Sequence, residues 1–99
     1  MKNNEKEIIE IAKKVLQELD PVYFDEKNIE GAWFKENDPR RGDKANTQAV
    51  WLISINEPIF DSTNFLRILD ETGEPLYIQT NHKVHEIIKN DEGKYVLKE

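Results

Sequence analysis

Hydrophobic residues recur along this chain with two different periods, and the change falls at Pro21. Before it, in NNEKEIIEIAKKVLQELDP, Ile8, Ala12, Val15 and Leu19 stand at steps of four, three and four, which places them on one face of a helix. Ile9, Ile11 and Leu16 widen that face, while Glu7, Glu10, Lys13, Lys14 and Gln17 occupy the other. Asn4 followed three positions later by Glu7 forms a capping box, with Asn in the usual Ser or Thr place. Asp20-Pro21 is a stop, because proline disfavours the helical conformation in the residue before it. The pattern predicts one helix over about 4–20, too short for a coiled-coil seam and amphipathic enough to pack on a core.

Beyond Pro21 the period becomes two, and strands are predicted near 29–35, 47–56, 65–70, 75–80, 84–89 and 94–98. In QAVWLISIN, Trp51, Ile53 and Ile55 point to one side, and Val50, Leu52 and Ser54 to the other. Two turns, Asp70-Glu71-Thr72-Gly73-Glu74 and Asn90-Asp91-Glu92-Gly93-Lys94, both suit a type I turn closed by a left-handed glycine and a G1 bulge. Pro75 opens a strand, where a missing donor is tolerated. Residues 36–46 are dense in Asn, Asp, Pro and Gly and read as a long hairpin loop.

These elements predict a single α+β domain over 1–99. Its N-terminal helix packs on one face of a curved, five- to six-stranded antiparallel meander, in two layers. The second face of that sheet poses a problem. If Trp51, Ile53 and Ile55 meet the helix, Val50 and Leu52 cannot, and Trp33-Phe34 and Tyr77 raise the same conflict. Either PVYF (21–24) and the 57–64 loop fold over these side chains, or the second face is a contact surface for a partner or a second copy.

Charge and composition narrow the functions. The chain has 14 basic residues against 20 acidic ones, a net charge of −6, and the basic residues are dispersed, which argues against nucleic-acid binding. Acidic residues gather instead: Glu57, Asp61, Asp70, Glu71 and Glu74 stand against Arg67 alone, and Asp25, Glu26 and Glu30 against Lys27, so a basic partner is the complementary one. There is no cysteine, hence no disulfide, thiolate metal site or Cys nucleophile. Charges interrupt MKNNEKEIIEIAKK, leaving no apolar core for an export signal, and no run is long enough for a membrane span, so the expected location is the cytoplasm.

Candidate chemistry is sparse. His82 and His85, the only histidines, are three apart, which on a strand puts them on opposite faces, and nothing completes a metal site. No G-x-S-x-G elbow surrounds a serine, and Gly31, Gly42, Gly73 and Gly93 are too scattered to cradle a phosphate. No catalytic, metal or cofactor-binding residue is predicted, and the chain reads as a non-enzyme. Arg41-Gly42-Asp43 resembles the integrin-binding tripeptide, without the export signal that such a role needs. Arg40 and Arg41 supply two guanidinium forks in the 36–46 loop.

FLRILDETGEPLYI (65–78) resembles the hairpin of PepSY-type domains through Asp70, Thr72 and Gly73. A helix followed by an antiparallel meander is also similar to small NTF2-like and immunity-type bacterial proteins. What these resemblances imply is a non-catalytic domain that binds or inhibits another protein. The expected function is a protein-interaction domain, an inhibitor or immunity protein, contacting a basic protein or a second copy as a homodimer. Its contact residues would be Trp33, Phe34, Arg40, Arg41, Val50, Leu52, Asp70 and Glu71. The alternative is a small-molecule-binding or enzymatic domain with a pocket between helix and sheet, with Trp33, Trp51, Tyr23 and Tyr77 as candidate lining.

Overall fold

The computed structural model describes residues 2–40, 43–57, 62–80 and 83–98, and of Lys44 only the backbone. The helix, α1, runs Glu5–Leu19 and starts in the predicted capping box. The Glu7 N–H donates to Asn4 Oδ1 at 2.8 Å, and the Asn4 N–H donates to Glu7 Oε1 at 3.0 Å. Its buried face is Ile8, Ala12, Val15 and Leu16, with Leu19 half-buried at the end. One 3₁₀ turn, Glu26–Asn28, leads into the sheet.

Six strands follow: β1 Ile29–Arg40, β2 Asp43–Glu57, β3 Ser62–Leu69, β4 Pro75–Gln79, β5 Val84–Lys89 and β6 Tyr95–Leu97. All pair antiparallel with their sequence neighbours, giving the meander order β1-β2-β3-β4-β5-β6 in an open sheet. The α1 face buries Trp51, Ile53, Ile55, Leu66, Ile68, Ile78 and Ile87 against the helix, with Phe24, Ala32 and Phe34 packed at the margin. This is the two-layer α+β arrangement that the change of period predicts.

Residues 36–46 differ from the expected loop. β1 continues to Arg40 and β2 begins at Asp43, so the stretch is a two-stranded arm, with only Arg41 and Gly42 outside the described residues. Register shifts between Lys35 and Asp38 and between Pro39 and Arg40 interrupt its pairing. Pro39 is tolerated because β1 is an edge strand. The arm also turns across the second face. Arg67 on β3 donates through Nε to Asp38 Oδ2 at 3.2 Å, yet a flat sheet would hold their Cα atoms about 16 Å apart, beyond the reach of the two side chains. Bulges at the register shifts supply the bend.

The two glycine turns also diverge. At Gly93 the predicted turn forms: the Gly93 N–H donates to the Asn90 carbonyl at 3.0 Å and the Asn90 N–H to the Lys94 carbonyl at 2.9 Å. At Gly73 the loop is one residue longer, because Leu69 pairs with Glu74 and the Gly73 N–H reaches the Leu69 carbonyl at 2.8 Å. The extra residue is Asp70, whose carboxylate is held inside the molecule rather than in the turn. Both glycines take positive φ, 77° and 78°, where a side chain is strained.

Candidate functional site

The helix is shorter than the sheet it covers. Fifteen residues of α1 span about 22 Å, whereas the fifteen of β2 span about 50 Å. The helix must therefore leave part of its face bare, and where it ends the residues on that face change character. Ile55, Leu66, Ile78 and Ile87 are buried beneath it, but one step outward along the same face stand Glu57, Asn64 and His85 on β2, β3 and β5, and Thr80 just beyond β4.

These four groups border a cavity of about 270 Å³ between the C-terminal end of α1 and the sheet. Its apolar lining comes from Leu16, Leu19, Phe24, Ile55, Ile78 and Leu97, and Asp20, Asn28 and Tyr23 complete it from the helix side. That volume has room for about nine waters, the scale of a small organic ligand. Local hydrogen bonds hold the helix side in place. Asp20 Oδ1 accepts the Tyr23 N–H at 3.1 Å, the Asp20 carbonyl accepts the Phe24 N–H at 3.1 Å, and Gln17 Nε2 donates to the Pro21 carbonyl at 3.3 Å. PVYF therefore turns back under the helix end and sends Phe24 into the α1 side, leaving the second face to other cover. On the sheet side, Asn64 Nδ2 donates to Glu57 Oε1 at 3.2 Å.

The opposite end of α1 is closed. Asp70 accepts at Oδ2 from the Lys2 N–H (2.6 Å) and at Oδ1 from the Asn3 N–H (3.0 Å) and the Trp51 indole (2.9 Å). Asn3 Nδ2 adds a bond to the Asp70 carbonyl at 2.8 Å. Burial pushes the Asp70 carboxyl up, but the Lys2 N–H, the Trp51 indole and the Asn3 N–H outweigh it, and the net is below the usual carboxylate range.

The residues expected to make contact scatter. Trp33 and half-buried Leu52 lie side by side on the second face, with the Trp33 ring, 53% exposed, lying across Gly31, where an added Cβ would sit 3.2 Å from it. Phe34 faces the other way and packs half-buried on Trp51, ring centroids 5.3 Å apart, at the margin of the core on the helix side. Val50 belongs to the second face yet has no exposed area, so it offers nothing to a partner. The arm is the described segment that crosses this face and closes over it, through Asp38 and Arg67. Arg40, Asp70 and Glu71 do share a cavity, of about 360 Å³ with Lys2, Thr47 and Gln48, but Asp70 is 2% exposed and its carboxylate is engaged as described. Arg41 lies outside the described residues, as does His82.

Of the four aromatics proposed as pocket lining, only Tyr23 borders the cavity. Trp51 is core, Trp33 is on the second face, and Tyr77 lies there under Arg67, whose guanidinium carbon is 5.3 Å from its ring centroid. Sequence reasoning missed Glu57, Asn64, Thr80 and His85 as a group. The signal was available: each is the face position next to a buried aliphatic residue, and the meander brings all four to one edge.

Among the described residues, no three His, Cys, Asp or Glu side chains come close enough to hold a metal ion, and no helix is long and apolar enough to cross a membrane. Compared with known proteins, the chain matches no family model, no curated protein and no solved structure.

Proposed function

We propose that this chain is a non-catalytic binding domain that takes a small organic molecule into the cavity at the C-terminal end of α1. The observation that carries the reading is the coincidence of an apolar base with polar groups converging from three strands, the end of β4 and the helix end, in a space of about 270 Å³. Ligand pockets have this composition: apolar walls supply affinity, and a few placed polar groups supply orientation. The reading takes up the alternative raised by the sequence, a small-molecule-binding domain with a pocket between helix and sheet.

A second reading, protein interaction as an inhibitor or immunity protein, draws support from the second face. Trp33, 53% exposed, and Ile88, 44% exposed, leave apolar area there beyond the arm's cover. With Val50 closed over and Phe34 turned to the helix side, that area is smaller than the alternation of residues implies.

The two readings separate in one experiment. Saturation-transfer NMR with a mixture of small fragments is run on the wild-type chain, on Thr80→Trp, which fills the cavity, and on Trp33→Ala, which strips the second face. The cavity reading expects binding that Thr80→Trp abolishes and Trp33→Ala leaves intact, with circular dichroism showing both variants folded. Binding that survives Thr80→Trp and vanishes in Trp33→Ala would move the function to the second face. No binding by the wild-type chain would overturn the cavity reading outright.

A further inference from the structure

The charges around the cavity are one-sided. Its permanent charges are the carboxylates of Asp20 and Glu57, beside the His85 imidazole that also borders it, and neither carboxylate is paired with a Lys or Arg among the described residues. Each carboxylate has a neutral partner instead, the Tyr23 N–H for Asp20 and the Asn64 amide for Glu57. Neutral donors orient a carboxylate without cancelling its charge.

Backbone electrostatics add to the same sign. The C-terminal end of a helix carries a partial negative charge from its unpaired carbonyls, and proteins commonly offset it with Lys, Arg or His in the last turn. The last turn of α1 has no basic residue, and the residue capping it is an acid, Asp20. Placed there, Asp20 opposes the dipole instead of compensating it, a local choice against stability at a point that borders the cavity. Tyr23 and Phe24 stand beside it, and an aromatic face attracts a cation in the same way.

Resting on the cavity reading above, we infer that the ligand is an organic amine, with a cationic head held between Asp20 and Glu57 and an apolar body against Leu16, Leu19, Ile55 and Ile78. The head replaces the compensation that the helix end and the two acids lack. The body fills the space that the helix is too short to cover.

The test is calorimetric titration of the wild-type chain with three probes of equal chain length: hexylamine, hexan-1-ol and hexanoate. The amine should bind about tenfold more tightly than the alcohol, and hexanoate not at all. Raising the salt concentration should weaken the amine and leave the alcohol unchanged. Glu57→Gln keeps the side chain's shape and should reduce the amine's advantage over the alcohol by about threefold to tenfold, with the alcohol's own affinity unaltered. Equal affinity of amine and alcohol would overturn the inference while leaving a neutral apolar cavity standing. Tighter binding of hexanoate would overturn it as well. If none of the three binds and neutral fragments also fail, the cavity reading falls with it. Should a lysine-rich peptide bind where hexylamine does not, the site belongs to a protein partner and the assignment to a small amine is wrong.

Discussion

The two ends of α1 are built in opposite ways. At the N-terminus, the first free N–H groups meet the Asn4–Glu7 box, and the chain just before it is tied by Lys2 and Asn3 to Asp70, which is itself locked to the Trp51 indole. The Asp70 carboxylate and the Asn4 and Glu7 side chains are all engaged there, and the end is fixed to β2 and to the turn that follows β3. At the C-terminus the helix stops in an acid with no basic residue in its last turn, and the sheet beneath turns polar around open space. Hydrogen bonds gather at one end of the interface, and the other is left open around the cavity.

The sharpest way to break this contrast is to truncate one aliphatic residue at each end. Ile8 has no exposed area and touches the closed end, so Ile8→Ala should cost about 4 kcal/mol. Leu19 is half-buried at the open end, and Leu19→Ala should cost about 1 kcal/mol, since less area is lost from cover. Urea denaturation with unchanged slopes measures both. Equal losses would mean that the C-terminal end is packed as tightly as the N-terminal one.

Next in size is Asp70. Asp70→Ala removes three hydrogen bonds to a carboxylate and orphans the Trp51 indole, for an expected loss of about 3 kcal/mol at neutral pH. The pH dependence has a definite sign. Because the folded-state carboxyl titrates below its usual range, the unfolded chain binds more protons than the native one in the interval between the two values. The contribution is whole above the unfolded value of about 4 and disappears as pH falls through the folded one. The stability gap between wild type and Asp70→Ala should therefore hold constant from neutral pH to about 5 and narrow below about 4. A gap that stays constant down to acid denaturation would show that the carboxylate's charge is not what the three donors recognise.

How much of this contrast was legible in the sequence differs between the two ends. The capping box, the helix boundary and the strand order follow from spacing alone, because apolar residues facing a helix must keep period. Asp70 did not declare itself. An acid in a Thr-Gly turn is ordinarily solvated, and only the return of residues 2 and 3 from the far end of the chain buries it. The arm was hidden for the opposite reason. Glu36, Asn37, Arg40, Ala45 and Asn46 are exposed, so neither side of that hairpin supplies an apolar alternation, and composition alone points to loop. The cavity residues were visible singly as polar strand ends. They become a site only when antiparallel register sets Asn64 opposite Ile55 and His85 opposite Ile78.

The smallest effect bears most directly on why the ends differ. If Asp20 is retained for binding rather than for folding, removing its charge should help the helix. Asp20→Asn preserves an oxygen for the Tyr23 N–H and relieves the clash between a carboxylate and the helix C-terminus, so it should raise stability by about 0.3 kcal/mol. The same change at a well-formed N-terminal cap would instead cost about 0.3 kcal/mol, because an acid there suits the dipole. Differential scanning calorimetry at low ionic strength resolves such a shift, and added salt should erase it. A gain in stability together with weaker hexylamine binding would mark Asp20 as a residue whose charge serves the ligand. A loss of stability would place Asp20 among the structural contacts instead, and the two ends of α1 would then differ in packing alone.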